Sequence, residues 1–233
     1  MLYIVATPIG NSQDITIRAV KTLFSVKYIL AEESSKTSIF LTTIQERYPE
    51  LVGGKTKPKI LSFNEFEEEN AIPKVINMLS EGDVALVSAA GTPLISDPGF
   101  KLVREAVKRG HEVVSIPGAA SVIAALSISG LPTNKFVFLG FLSKSTVKRQ
   151  NSLQEIKLLY SHGETIVLFE SPHRILEMLS DMQGIFGDIY IVIAKELTKI
   201  HETVLRGKIS EITPKLVEET RGEFVVMVNL KKE

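Results

Sequence analysis

Short apolar runs separated by longer amphipathic stretches set the rhythm of this chain. Residues 2–6, 28–31, 59–62, 83–88 and 112–115 each read as a brief strand. Helical spacing fills the intervals. Ile15, Ala19 and Leu23 fall at i, i+4 and i+8, with Asp14 as the cap of their helix. Further helices are predicted from Glu32-Glu33-Ser34-Ser35 to about Arg47, over about 67–79, and from Asp97 or Pro98 to about Arg109. Residues 48–59 hold two prolines, a Gly-Gly pair and three lysines, which predicts a surface loop.

The second half keeps the rhythm. Strands are predicted at 136–139, 165–169, 189–194, 199–207 and 223–230. A basic helix ends near Tyr160, another ends near Met182, and a short one spans 210–219. Between the halves, Ile116-Pro117-Gly118 leads into a small, apolar, buried helix. Strand–helix alternation of this kind defines an α/β protein with two sheets of four or five strands each. The boundary is placed after Pro117, giving an N-terminal α/β domain at 1–117 and a C-terminal α/β domain at 118–233.

Composition narrows the class. Of 233 residues, 44% are hydrophobic and 23% charged, as in an ordinary globular protein. No apolar run is long enough to cross a bilayer, so no membrane is expected. The absence of cysteine excludes disulfides, thiolate metal sites and a cysteine nucleophile, and fits a reducing cytoplasm. Lys plus Arg and Asp plus Glu both number 27, so the chain carries no overall basic coat for nucleic acid. Its charge is unevenly spread, however. No acidic residue occurs from Val113 to Gln154, while Lys135, Lys144, Lys148 and Arg149 do. A local basic loop of this kind can bind phosphates.

The chemistry gathers at strand ends. Loops with unusual residues follow the strands at 7–11, 32–35, 88–93, 117–121 and 170–174. In open α/β sheets, ligands collect at the carboxyl ends of strands. Small residues from Ser88 to Gly91 let a ligand approach the backbone, and Asp97-Pro98-Gly99 is a turn. The chain lacks the glycine-rich dinucleotide and nucleoside-triphosphate motifs, a paired-histidine metal spacing and a serine-hydrolase elbow. His111, His162, His173 and His201 are scattered, so no metal site is expected.

Thr7-Pro8-Ile9-Gly10-Asn11, Ser88 to Gly99, Pro117-Gly118, Phe169 to Arg174, Lys195 to Lys199 and Gly222 to Val226 occur in one order across the whole chain. That set closely resembles the bacterial ribosomal RNA small subunit methyltransferase I family of the tetrapyrrole methylase superfamily. The resemblance implies two α/β domains of the class III methyltransferase type, with S-adenosylmethionine in a cleft between them, usually in a homodimer. It implies 2′-O-methylation of a decoding-centre cytidine ribose in 16S ribosomal RNA. It assigns the cofactor to Pro8, Gly10, Ala89, Ala90, Gly91, Thr92, Ile95, Pro117, Gly118, Ala120 and Ser121, and to Phe169, Leu197 and Phe224 in the second domain. Lys144, Lys148 and Arg149 match the family's basic loop and are assigned to RNA.

The chain departs from the family pattern at several functional positions. Ala89 stands where an aspartate is usual, and Ser35 where an arginine is usual. Asn64, within Ser62-Phe63-Asn64-Glu65-Phe66, replaces a histidine, and Lys195 replaces an arginine.

Methyl transfer from a sulfonium is an in-line displacement, so positioning dominates, and a poor hydroxyl nucleophile gains from a base. Candidate bases are Glu32, Glu170 and Glu196, with Lys195 beside them; Glu32 is preferred because it directly follows a buried strand. Two alternatives stand beside the ribosomal reading. One is a related methyltransferase acting on a small molecule or another RNA site, and the other a cofactor-binding relative without activity.

Overall fold

The computed structural model describes residues 1–65 and 67–231. Phe66, within the segment that departs from the family pattern, lies outside the described residues, as do the last two residues of the predicted C-terminal domain. The chain forms two compact units, Met1–Ala120 and Ser121–Glu233.

The first unit is a parallel sheet wrapped by helices. Its elements are β1 (Leu2–Val5), α1 (Ile17–Leu23), β2 (Tyr28–Ala31), α2 (Ser34–Arg47), α3 (Pro49–Val52), β3 (Lys59–Ser62), α4 (Glu68–Glu81), β4 (Val84–Val87), α5 (Phe100–Lys108) and β5 (Val113–Ile116). The strand order is β3-β2-β4-β1-β5, with every pairing parallel. Parallel sheets are covered on both faces, which explains why β4 reads as an unbroken apolar run and is buried throughout. Alternate residues split between two cores. Ile29, Ala85 and Val87 pack with Leu23, Leu41 and Ile44 on the α1–α3 side. Leu30, Val84 and Leu86 pack with Val75, Leu79, Leu102 and Ala106 of α4 and α5 on the other.

Local details differ from expectation in three places. Thr16, not Asp14, caps α1, its hydroxyl accepting from the Ala19 N–H at 3.1 Å. Asp14 instead ends a short 3₁₀ turn at Ser12–Asp14. The expected surface loop at 48–59 contains α3, started by Pro49 and ended by Gly53 in the left-handed region, and it buries Val52. The strand expected at 199–207 begins only at Thr203, because the backbone ahead of it turns through left-handed residues at Glu196 (φ 53°) and Thr198 (φ 66°).

The second unit comprises α6 (Ser121–Ser129), β6 (Phe136–Phe141), α7 (Thr146–Leu159), β7 (Thr165–Glu170), α8 (Ile175–Phe186), β8 (Tyr190–Lys195), β9 (Thr203–Lys208), α9 (Ile209–Val217) and β10 (Phe224–Asn229). Its sheet is mixed, in the order β6-β7-β10-β8-β9. Only β6 and β7 run parallel; β10 sits antiparallel between β7 and β8. One face buries Ile166, Leu168, Ile191, Ile193, Val226 and Val228 against α7, α8 and α9. On the opposite side α6 contacts β8 and β10.

One contact holds α5 in place from a distance. Its own N-cap, Gly99, offers no side chain. The buried Glu68 carboxylate supplies the cap instead, accepting from the Lys101 and Leu102 N–H groups at 3.1 and 3.3 Å. Glu68→Ala removes both bonds and is expected to cost about 2 kcal/mol. Urea denaturation measures that loss, and an unchanged midpoint would contradict this role.

Candidate functional site

The sheet topology of the first unit creates a crevice. After β2 the chain moves to one side, toward β3; after β4 it moves to the other, toward β5. The loops leaving these two neighbouring strands therefore diverge, which is the switch point where α/β sheets take ligands. Ala31 of β2 pairs with Val87 of β4. Glu32 and Ser88, one residue further along each strand, stand side by side at its edge.

Three loops are laced together beside this point. Thr7 and Gly91 exchange backbone hydrogen bonds at 2.8 and 3.1 Å. The Thr92 hydroxyl donates to the Ala119 carbonyl at 3.0 Å. Gly91 has a φ of +78°, and a Cβ there would meet Ile9 Cγ2 at 3.1 Å, so the close approach needs glycine. Pro8, Gly10, Ala89, Ala90, Gly91, Thr92, Pro117, Gly118 and Ala120 thus lie on loops gathered at one edge of the first sheet. Ala89, Ala90, Gly10 and Ile95 are exposed. The buried Thr7 hydroxyl oxygen has no hydrogen-bond partner among the described residues, an unmet polar group that points to a ligand. These loops carry backbone groups, small side chains and carboxylates but no lysine or arginine. That donor set suits the cationic sulfonium and neutral adenosine of S-adenosylmethionine and would repel a pyrophosphate.

In the second unit, antiparallel pairing brings distant assignments to one sheet edge. Phe224 at the start of β10 lies opposite Glu170 of β7 and Lys195 of β8. Leu197 follows in the turn after β8, and Ser121 is the first residue of α6. The Leu197 and Phe224 side chains are buried, whereas Phe169 is half-buried in an aromatic group with Phe138 and Phe141, at 4.7 and 5.5 Å between ring centroids.

The candidate bases separate on their partners. Glu170, 2% exposed, ion-pairs through Oε1 with Arg174 at 2.6 Å and accepts there from the Ser171 N–H at 2.7 Å, while its Oε2 is buried with no hydrogen-bond partner among the described residues. Arg174 in turn reaches the Leu142 carbonyl, which locks the loop. Glu196 accepts from Lys199 at 2.8 Å and from the Glu223 N–H at 2.9 Å. Burial raises the pKa of Glu196, but the Lys199 ammonium and that N–H outweigh it and hold the carboxyl below its ordinary value. Both carboxylates are engaged in holding loops. Glu32 is exposed at the crevice. Lys195 is buried and ion-paired to Glu219 at 3.5 Å.

Asp97 is absent from the sequence-based candidates, where it figures only as part of a turn. It is half-buried on the loop between β4 and α5. Burial, reinforced by the Glu32 charge and only partly offset by Ser88, pushes its carboxyl up to about 6.

The basic loop also divides. Lys144 and Lys148 are exposed and make no ion pair among the described residues. Arg149 does not belong with them. It is 1% exposed on α7, and donates to Asp181 of α8 at 2.6 Å with Glu177 at 3.5 Å. The assignment of Arg149 to RNA is therefore corrected: its guanidinium is spent inside the protein. Among the described residues no group of side chains could hold a metal ion, and no helix is long and apolar enough to cross a membrane.

A doubly wrapped parallel unit with its loops gathered at a switch point, followed by a mixed-sheet unit, defines a class. The model of the tetrapyrrole (corrin/porphyrin) methylases matches residues 1–213. A solved structure of diphthine synthase shares this fold, with a TM-score of 0.72, 18% identity, and coverage of 98% of this chain and 89% of that one. Curated relatives are more specific. The ribosomal RNA small subunit methyltransferase I of Thermotoga maritima is 41% identical over 99% of both chains. Those of Halalkalibacterium halodurans and Haemophilus influenzae are 41% and 40% identical, over 97% and 99% of this chain and 75% and 79% of theirs. The chain belongs to the tetrapyrrole methylases and, within them, to the ribosomal RNA small subunit methyltransferase I family.

Proposed function

We propose that this protein transfers a methyl group from S-adenosylmethionine to the ribose 2′-hydroxyl of a cytidine in 16S ribosomal RNA. The observation that carries this is the end-to-end likeness to relatives named for small-subunit ribosomal RNA methylation. The loop chemistry supports it: small residues, free backbone and carboxylates, with no cation to oppose a sulfonium. The family resemblance gives the cofactor Pro8, Gly10, Ala89 to Thr92, Ile95, Pro117, Gly118 and Ala120 in the first unit and Ser121, Phe169, Leu197 and Phe224 in the second. The cofactor supplies the activated methyl group. The protein's task is to hold the hydroxyl in line and accept its proton.

A cytoplasmic homodimer acting on the small ribosomal subunit completes the reading. The family likeness supports the dimer, and the cysteine-free sequence fits the compartment. Calorimetric titration with S-adenosylmethionine tests the cofactor assignment. Saturable binding to the free protein is expected, and no detectable heat at millimolar ligand would contradict it.

Lys144 and Lys148 are the exposed cations offered to RNA phosphates. Replacing both with alanine is expected to weaken binding to the 30S subunit and to flatten its salt dependence. On a single strand the log–log slope should fall by about 0.7 for each phosphate left without its lysine. Arg149→Lys should leave that slope unchanged. Equal slopes for the double variant and the unmodified protein would overturn the assignment.

A further inference from the structure

We propose that Phe141, presented by a bulge at the end of β6 and backed by the Phe169 ring, stacks on a nucleobase in a single-stranded segment of the RNA whose phosphates Lys144 and Lys148 hold. This rests on the ribosomal RNA reading above.

Strand register places the ring. Phe138 pairs with Val167 and Phe141 with Phe169, so β6 advances three residues where β7 advances two. In a regular strand, residues three apart point to opposite faces. The bulge takes up the extra residue, with Gly140 in the left-handed region at φ +64°. Phe138 and Phe141 thereby share one face of the sheet with Phe169. The rings meet there: Phe169 lies 4.7 Å from Phe138, edge-on, and 5.5 Å from Phe141, tilted by 59°.

That face is not the one under the helices. Leu139, next to Phe138, packs with Ile166 and Leu168 into the core beneath α7, α8 and α9. The three rings point the other way, at the border of the sheet, because β6 is its outermost strand. On their side α6 lies against β8 and β10. Phe138 and Phe169 are half-buried, and Phe141 is 53% exposed. A single exposed phenylalanine is ordinary. Phe141 differs in that other rings support it and a bulge aims it, so little freedom is lost when a flat partner docks on it.

Charge selects the occupant. No acidic residue occurs from Val113 to Gln154. Lys144 follows Phe141 by three residues, at most about 11 Å of chain, and Lys148 lies in the first turn of α7. Both lysines are exposed. The segment between ring and cations is fixed: Leu142 is buried, and its carbonyl accepts from Arg174 at 3.1 Å. Arg149 ties α7 to α8 through Asp181. An aromatic platform beside free cations is the pairing that binds single strands, the ring taking a base and the cations the backbone. A duplex hides the faces of its bases, so the segment recognised is unpaired. A second copy of the chain fits less well, because a two-fold contact would set these lysines against their own counterparts.

Affinity of the full chain for purified 30S subunits, measured over a range of salt concentrations, tests this. Phe141→Ala and Phe141→Leu should each weaken binding about tenfold, since neither keeps a ring, whereas Phe141→Tyr should stay within about threefold of the unmodified protein. The log–log salt slope should be the same throughout the series, because no phosphate contact is lost. Phe136→Ala removes another exposed ring of β6, 41% exposed and touching no other ring among the described residues, and should bind within about twofold. Calorimetry with S-adenosylmethionine and sedimentation of the free protein should give the same result for Phe141→Ala as for the unmodified protein. Binding by Phe141→Ala or Phe141→Leu within about twofold of the unmodified protein would overturn the proposal. A parallel loss of cofactor affinity would also overturn it and give the ring to adenosine, and dissociation of a dimer would give it to a second copy. Each of these leaves the methyltransferase reading standing. No binding of the 30S subunit by the unmodified protein, with no transfer to any RNA, would overturn both.

Discussion

Arg149→Ala is expected to destabilise the second unit by about 3 kcal/mol, because breaking a buried ion pair strands the charge that remains. Arg149 is fully covered, and the Asp181 side chain opposite it is only 10% exposed. After the substitution Asp181 keeps a single donor, the Gln150 amide at 2.7 Å. Removing the long side chain also leaves a void between α7 and α8. Arg149→Met separates the two causes, since it fills most of the volume and still strands the carboxylate. It should recover only the packing part of the loss. The double variant Arg149→Met/Asp181→Leu should return close to the stability of the unmodified protein, because an apolar pair avoids the desolvation cost of both ions. Thermal denaturation checks the series. Arg149→Ala within about 1 kcal/mol of the unmodified protein would show the pair to be worth no more than a surface one.

Gly99→Ala is expected to cost about 3 kcal/mol, from left-handed backbone strain and overpacking together. At φ +127° an L side chain is strained whatever the space around it. Here there is no space either. The new Cβ would lie 2.6 Å from Leu86 Cδ2 and 3.4 Å from Leu94 Cγ. Leu86 is buried in the core against α4 and α5, so it can yield only by disturbing its neighbours. Gly99→Ala should therefore lose more stability than Gly110→Ala, where φ is also positive (+76°) but the space is open. Equal losses at the two positions would show that the clash with Leu86 carries no consequence.

Much of the fold was legible because burial and strand character coincide here. Val84–Val87 is apolar at every position and is buried at every position, as a central parallel strand requires. Small residues after it marked a strand-end loop, and that is where the structure gathers three such loops. What escaped the sequence was set by contacts between distant positions. Nothing near Ser88 in the chain shows that Glu32 will stand beside it; only the pairing of β2 with β4, Ala31 opposite Val87, brings them together. Lys199 to Glu202 read as the start of a strand that begins only at Thr203. Lys199, however, bridges Glu196 and Glu223 at 2.8 and 2.9 Å, and this holds the segment in left-handed turns.

Arg149 is a different case, because its signal was present. Arg149, Leu153 and Ile156 fall at i, i+4 and i+7, and all three are buried on α7. An arginine in line with an apolar stripe is placed inward, and Glu177 and Asp181, four residues apart on α8, are its partners. Lys144 and Lys148 lie off that stripe and remain at the surface. The basic cluster thus splits into one buried structural cation and two exposed lysines.

The central claim is methylation of a cytidine ribose in 16S ribosomal RNA. Its most direct test is to incubate the protein with purified 30S subunits lacking the modification and labelled S-adenosylmethionine, then map 2′-O-methyl groups by mass spectrometry of nuclease fragments. The account predicts a single labelled cytidine carrying its methyl group on the ribose oxygen. Label on a base, on a nucleotide other than cytidine, or on no RNA at all would contradict it.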